Sequence, residues 1–190
     1  MGIGAFLMPI VDVVILASWV AFWIYWLAMS VGVKSGKTGW TRFAGVRVAG
    51  ILIVLLLVRL RAFKGHAATN HDALLQGIGL AVFLLGLVLA IWARVYLGRN
   101  WGMPMTRKDD PELVTSGPYS SVRHPIYSGI VLAMIGTTIA VSVYWLVAVV
   151  LLGAYFIYSA VVEERLMTRL FPDSYPQYKQ STKMLIPFIL

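Results

Sequence analysis

The sequence contains no cysteine, which removes disulfides, thiolate metal sites and a cysteine nucleophile together. Charge is nearly as scarce: only 13% of the 190 residues are charged and 59% are hydrophobic. Ordinary soluble domains carry about 25% charged residues and about 45–50% apolar ones. A soluble fold of this length has too little interior to hide so much apolar surface. No basic residue precedes the first apolar stretch, which runs from about Phe6 to Val33, so a cleaved secretory signal matches poorly and a retained first span is expected. No repeat, low-complexity tract or Pro/Gly-rich linker divides the chain, and one domain over residues 1–190 is expected. His66 and His71 lack the partner spacing of a metal site, and no metal is expected.

What is present is hydrocarbon-soluble chain in helix-length runs. A spanning helix needs about 20 mostly apolar residues, because every backbone polar group must be satisfied within the helix. A second span is expected between Phe43 and Phe63, with Arg47 and Arg59 reaching the interfaces through their long side chains. The third runs from about Ala73 to Ala93, with Gln76 inside it and Arg94 and Arg99 closing it. Ile126 to Val162 carries no charge at all. A single helix of that length would reach about 55 Å, well past a hydrocarbon core of about 30 Å. It has to fold back, and a turn near Ser142 to Trp145 makes spans four and five an antiparallel hairpin. The expected fold is therefore all-α, a polytopic membrane protein of about five transmembrane helices.

The 16 basic residues outnumber the 8 acidic ones, giving a formal net charge of +8. Arg59, Arg61 and Lys64 lie in one connection; the other basic residues fall in the alternate segments around Lys37, around Lys108 and in the C-terminal tail. The positive-inside rule then places the N-terminus outside and the C-terminus in the cytosol, in a plasma or inner membrane if the source is bacterial. Basic flanks of this kind also attract anionic lipid head groups, so membrane lipids are expected partners and nucleic acid is not.

The hairpin brings distant residues together. Arg123, His124 and Tyr127 at the start of span four should meet Glu163 and Glu164 at the end of span five. Pro125 suits the first helical position, and the free N–H groups of that first turn favour an anion. Two glutamates at a helix C-terminus oppose its dipole and call for a nearby cation, either Arg123, Arg165 or Arg169, or a ligand sulfonium or ammonium.

The run Leu113-Val114-Thr115-Ser116-Gly117-Pro118-Tyr119, followed by Arg123-His124-Pro125-Ile126-Tyr127-Ser128-Gly129, resembles the signature of the isoprenylcysteine carboxyl methyltransferases. Glu163-Glu164, Phe171, Tyr175, Tyr178 and Ile186-Pro187-Phe188 follow at that family's spacing. The resemblance covers about Leu97 to Phe188, so residues 97–190 are expected to form the methyltransferase-like half and residues 1–96 the N-terminal three spans. It implies an S-adenosyl-L-methionine pocket closed by a cytosolic C-terminal segment, with an apolar, lipid-like or isoprenoid acceptor. By resemblance the cofactor contacts fall on Pro111, Glu112, Leu113, Val114, Tyr119, His124, Pro125, Ile126, Tyr127 and Glu163, with Thr106 a further candidate. Arg123 and Glu163 are implied as the residues of the catalytic step. In the family an arginine four residues before the cofactor glutamate holds the substrate carboxylate, but Ser159 stands there in this sequence. Membrane sterol and steroid reductases, which use NADPH, share a related hairpin and a similar C-terminal pattern. They are the alternative enzyme class, and a non-catalytic membrane accessory protein is the alternative outside enzymes.

Overall fold

A computed structural model describes residues 3–29, 36–37, 72–101, 107–108 and 112–187. Its α-helices are α1 (Ile3–Ala28), α2 (Ala73–Leu97), α3 (Pro125–Ala140), α4 (Trp145–Leu170) and α5 (Ser174–Ser181). Beside the helices, the described residues form a two-residue antiparallel ladder, Gly36–Lys37 with Arg107–Lys108, and a single bridge between Val122 and Lys183. By length and composition α2 and α4 can cross a membrane, as can Ile10–Ala28 of α1. The span expected between Phe43 and Phe63, Thr106, Pro111 and the two loop histidines lie outside the described residues.

Local chemistry sets the helix ends. Asp72 caps α2 by accepting from the N–H groups of Leu74 at 2.8 Å and Leu75 at 3.4 Å. At its other end the chain turns through Gly98 at φ 53°, a conformation that costs a residue with a Cβ. Pro125 opens α3 at its first position, where the missing N–H is no loss. Residues 141–144 join α3 to α4, and there the buried Ser142 accepts from the N–H of Tyr144 through its hydroxyl and from that of Trp145 through its carbonyl. Without glycine or proline, a serine supplies the local hydrogen bonds of this reversal.

The tightest packing joins α2 to α3. Gly79 and Gly86 on α2, and Gly129 and Gly136 on α3, recur at intervals of seven and face one another's backbone. A Cβ on Gly86 would lie 2.3 Å from the amide nitrogen of Ala133, and one on Gly136 would lie 2.3 Å from that of Phe83. Small residues let the two backbones touch, which is how helices associate where lipid removes any hydrophobic incentive. Phe83, Ala90, Ala133 and Ala140 complete this buried seam. The outer faces of α1, α2 and α4 expose Leu16, Ile24, Leu85, Val88 and Val150, as lipid-facing surfaces do.

Lengths position the site. At 1.5 Å per residue, α3 with 16 residues is about 24 Å long and α4 with 26 about 39 Å. Starting from one shared turn, α4 outruns α3 by about 15 Å, so its last turns stand beyond the point where α3 begins. Glu163 and Glu164 sit at that step.

Candidate functional site

The step between the two helices is filled from three directions. The chain entering α3 brings Arg123, His124 and Tyr127, α4 brings the two glutamates, and the C-terminal segment lies across both. The N–H groups of Arg123 and His124 donate to the carbonyls of Lys183 and Met184 at 2.8 and 3.1 Å, and the Ser128 hydroxyl donates to the Leu185 carbonyl at 2.5 Å. The Tyr178 hydroxyl of α5 donates to the Tyr119 carbonyl at 2.6 Å. Burial pushes the Tyr178 phenol up to about 12, and burial likewise raises Tyr119 and Tyr175, so all three hydroxyls stay protonated donors near neutral pH.

The two glutamates have separate environments. Glu164 is buried, and its carboxylate takes the Arg123 guanidinium at 2.6 Å and the Lys179 ammonium at 2.8 Å. Arg123 also donates to the carbonyls of Lys179 and Thr182. Its guanidinium therefore joins the start of α3, the end of α4 and the C-terminal segment. Of the cations considered for the glutamate pair, Arg123 is the one in contact, while Arg165 and Arg169 are exposed. Glu163 instead accepts from the Tyr127 hydroxyl at 2.6 Å and lies 3.5 Å from Nδ1 of His124. The His124 ring stacks on Tyr127 at 5.4 Å, and Tyr127 stacks on Phe156 at 4.6 Å. Nε2 of His124 is buried without a hydrogen-bond partner, its nearest carboxylate oxygen being that of Glu164 at 3.7 Å. Neighbouring glutamates thus divide into a structural one and one presented to open space.

That space is a cavity of about 540 Å³. Glu112, Leu113, Val114, Tyr119, His124, Ile126, Tyr127 and Glu163 all line it, as does Arg123. Pro125 is buried and does not line it; it starts the helix that carries its neighbours. Glu112 also accepts from the Asn100 amide at 2.7 Å, and Asn100 and Trp101 line the same cavity. Sequence reasoning did not assign α1 to the site: Trp23, Trp26 and Leu27 line the cavity, and tryptophans in an apolar span have the composition of an interfacial belt. Leu152, Tyr155 and Phe156 of α4 stand in the lining too. An apolar, aromatic enclosure with two carboxylates in its lining suits a ligand that is cationic in one part and apolar in another.

A membrane helix bundle with such a cavity at the end of a short helical hairpin defines the class as an intramembrane enzyme-like fold. The phospholipid methyltransferase family model matches residues 75–174, and the chain belongs to that family, among its isoprenylcysteine carboxyl methyltransferase-like members. A solved structure of the eukaryotic intramembrane Ras methyltransferase ICMT superposes with a TM-score of 0.57 at 26% identity, covering 80% of this chain and 54% of that one. The protein-S-isoprenylcysteine O-methyltransferase of Schizosaccharomyces pombe is 29% identical over 170 residues, 87% of this chain and 67% of the relative. The nickel-cobalt-cadmium resistance protein NccN of Alcaligenes xylosoxydans xylosoxydans is 29% identical over 138 residues, 71% of this chain and 62% of the relative. The chain thus spans between about half and two thirds of the length of these relatives.

Proposed function

We propose that the protein is an S-adenosyl-L-methionine-dependent methyltransferase that modifies an apolar or lipid-linked acceptor at the cytosolic membrane surface. The observation that carries this reading is the Glu163 carboxylate, oriented by Tyr127 and His124 in the lining of an aromatic cavity. The side chains present fit the cofactor. Glu163 and Glu112 can accept from ammonium or hydroxyl groups, the aromatic lining suits a cation, and the first turn of α3 has N–H groups of the kind that suit a carboxylate. When bound, that cofactor supplies an electrophilic methyl group on a positively charged sulfur. The protein's share is positional. Tyr127 and His124 hold Glu163 in one orientation, Arg123 and Glu164 fix the step on which they stand, and the aromatic wall excludes water. Aligning two reactants in this way supplies about 7–11 kcal/mol without a covalent nucleophile.

The kinship with S-isoprenylcysteine O-methyltransferases supports a lipid-borne acceptor, and the apolar side chains that α1 and α4 contribute to the cavity support an approach from the bilayer. The head group is a separate matter. Ser159, where the resemblance implied an arginine, is 0% exposed and donates its hydroxyl to the Tyr155 carbonyl at 2.9 Å. Arg123, the one arginine among the described lining residues, is engaged by Glu164 and the C-terminal carbonyls. An acceptor with a different acid, an amine or a thiol on an isoprenoid or acyl carrier fits better than a prenylcysteine carboxylate. Methyl transfer in lipid nanodiscs, with acceptors sharing one head group and differing in chain length, tests the reading. Long members are expected to turn over best. Equal turnover of short, water-soluble members refutes approach from the bilayer, and a clear preference for prenylcysteine refutes the argument from Ser159.

The ladder between Gly36–Lys37 and Arg107–Lys108 supports a common side for those two loops, and α1 and α2 both end at the site. This arrangement is consistent with the five spans expected from the sequence, and the positive-inside count puts the N-terminus outside.

A further inference from the structure

Arg94 lies in the last turn of α2 and is only 1% exposed, yet its partners among the described residues include no carboxylate. Its two terminal nitrogens donate to backbone carbonyls at the ends of two different helices. One reaches Gly98 at 2.9 Å, just past α2, and the other reaches Met29 at 2.5 Å, just past α1. Terminal carbonyls of a helix lack intrahelical donors and carry the negative end of its dipole. Two such ends converge on one guanidinium, which explains how a cation is held inside without an acidic partner. The flat face of the same guanidinium lies 4.4 Å from the Trp101 ring, and Trp101 meets Trp26 of α1 edge-to-face at 5.6 Å.

Trp26 and Trp101 line the cavity; Arg94 does not. From this arrangement we infer that Arg94 is a positioning residue, a clamp between the ends of α1 and α2 that sets the size of the cavity lined by Trp26 and Trp101 and thereby selects the acceptor's chain. The inference rests on the proposed function only in taking the acceptor's chain to enter this cavity. Geometry makes arginine specific here. A planar fork reaches two carbonyls and stacks on an indole at once, whereas a lysine ammonium supplies a point charge that cannot do all three. Leu152 and Tyr155 of α4 line the same cavity from a separate element, so releasing α1 changes the gap between α1 and α4.

The chain has no native cysteine, so spin labels can be placed at Ile24→Cys on α1 and Ile157→Cys on α4, both exposed positions. Electron–electron distance measurements in nanodiscs then compare Arg94 with Arg94→Lys and Arg94→Gln. In parallel, the affinities of farnesol and geraniol, expressed as mole fractions in the nanodisc lipid, report chain selection without any head group. The clamp predicts a narrow distance distribution and a preference for farnesol with Arg94. It predicts a longer, broader distribution and loss of that preference with Arg94→Gln, and intermediate behaviour with Arg94→Lys. If Arg94→Gln does not fold, Arg94→Lys decides alone. Unchanged distances in the folded variants overturn the clamp, and so does a changed distance with the chain preference intact. If the unsubstituted protein shows no preference between the two alcohols, the acceptor reading fails, and the distances still decide the clamp.

Discussion

Replacing Gly86 by alanine adds one methyl group at the closest approach of α2 and α3. Its Cβ would sit 2.3 Å from the Ala133 amide nitrogen and 2.6 Å from the Gly129 carbonyl oxygen, both backbone atoms that cannot rotate away. An ordinary van der Waals contact is about 3.5–4.0 Å, so the helices have to separate by about 1 Å or more. Overpacking of this kind costs about 1–3 kcal/mol, while alanine in place of a helical glycine returns about 0.5–1 kcal/mol. The net expectation is a loss of about 1–2 kcal/mol. Gly77 on the same helix is the internal control, because nothing lies within 4 Å of a Cβ built there. Gly77→Ala should leave stability unchanged or raise it. Thermal unfolding of the purified protein in detergent, followed by circular dichroism, compares the two. Separation of α2 from α3 also displaces the start of α3, so Gly86→Ala should weaken ligand binding at His124 and Glu163. Equal stability of the two variants would refute the backbone-contact account of this helix pair.

Two further outcomes are expected. Arg123→Ala leaves the buried Glu164 with Lys179 and the more distant His124 and removes one tie to the C-terminal segment, so it should destabilise the protein by about 3 kcal/mol, with partial rescue by lysine; denaturation in nanodiscs measures this. Single cysteines at Ser35, Ser116 and Ser181 should react with an impermeant thiol reagent from the cytosolic side and one at His66 from the opposite side, and any other pattern redraws the proposed topology.

Much of the site was legible because hydrophobic length is a strong signal. An uncharged run too long for one crossing had to reverse, and the reversal at residues 141–144 brings Tyr127 to Glu163. The opposition between a glutamate pair and a helix dipole led to a cation, and Arg123 supplies it for Glu164. Three features needed the third dimension. The tryptophans of α1 have the composition of an interfacial belt, and only the packing of α1 against α2 turns Trp23 and Trp26 toward the cavity. The seven-residue spacing of Gly79 and Gly86 is visible in the sequence, but its meaning depends on the matching pair Gly129 and Gly136 lying opposite. Arg94 reads as a flanking anchor because its place at the end of an apolar run is typical of one. Its burial follows from the arrival of a second helix end, which no local pattern announces.

A cofactor site organised by Glu163 should bind S-adenosylhomocysteine. Titration calorimetry on the protein in nanodiscs should show saturable binding of this thioether product and none of NADPH. Glu163→Gln keeps the shape and removes the charge, and loss of a charged partner in a buried site is worth about 1.5–3 kcal/mol, so affinity should fall at least about tenfold. Unchanged affinity in a folded Glu163→Gln protein, or preferential binding of NADPH by the unsubstituted one, would contradict the account.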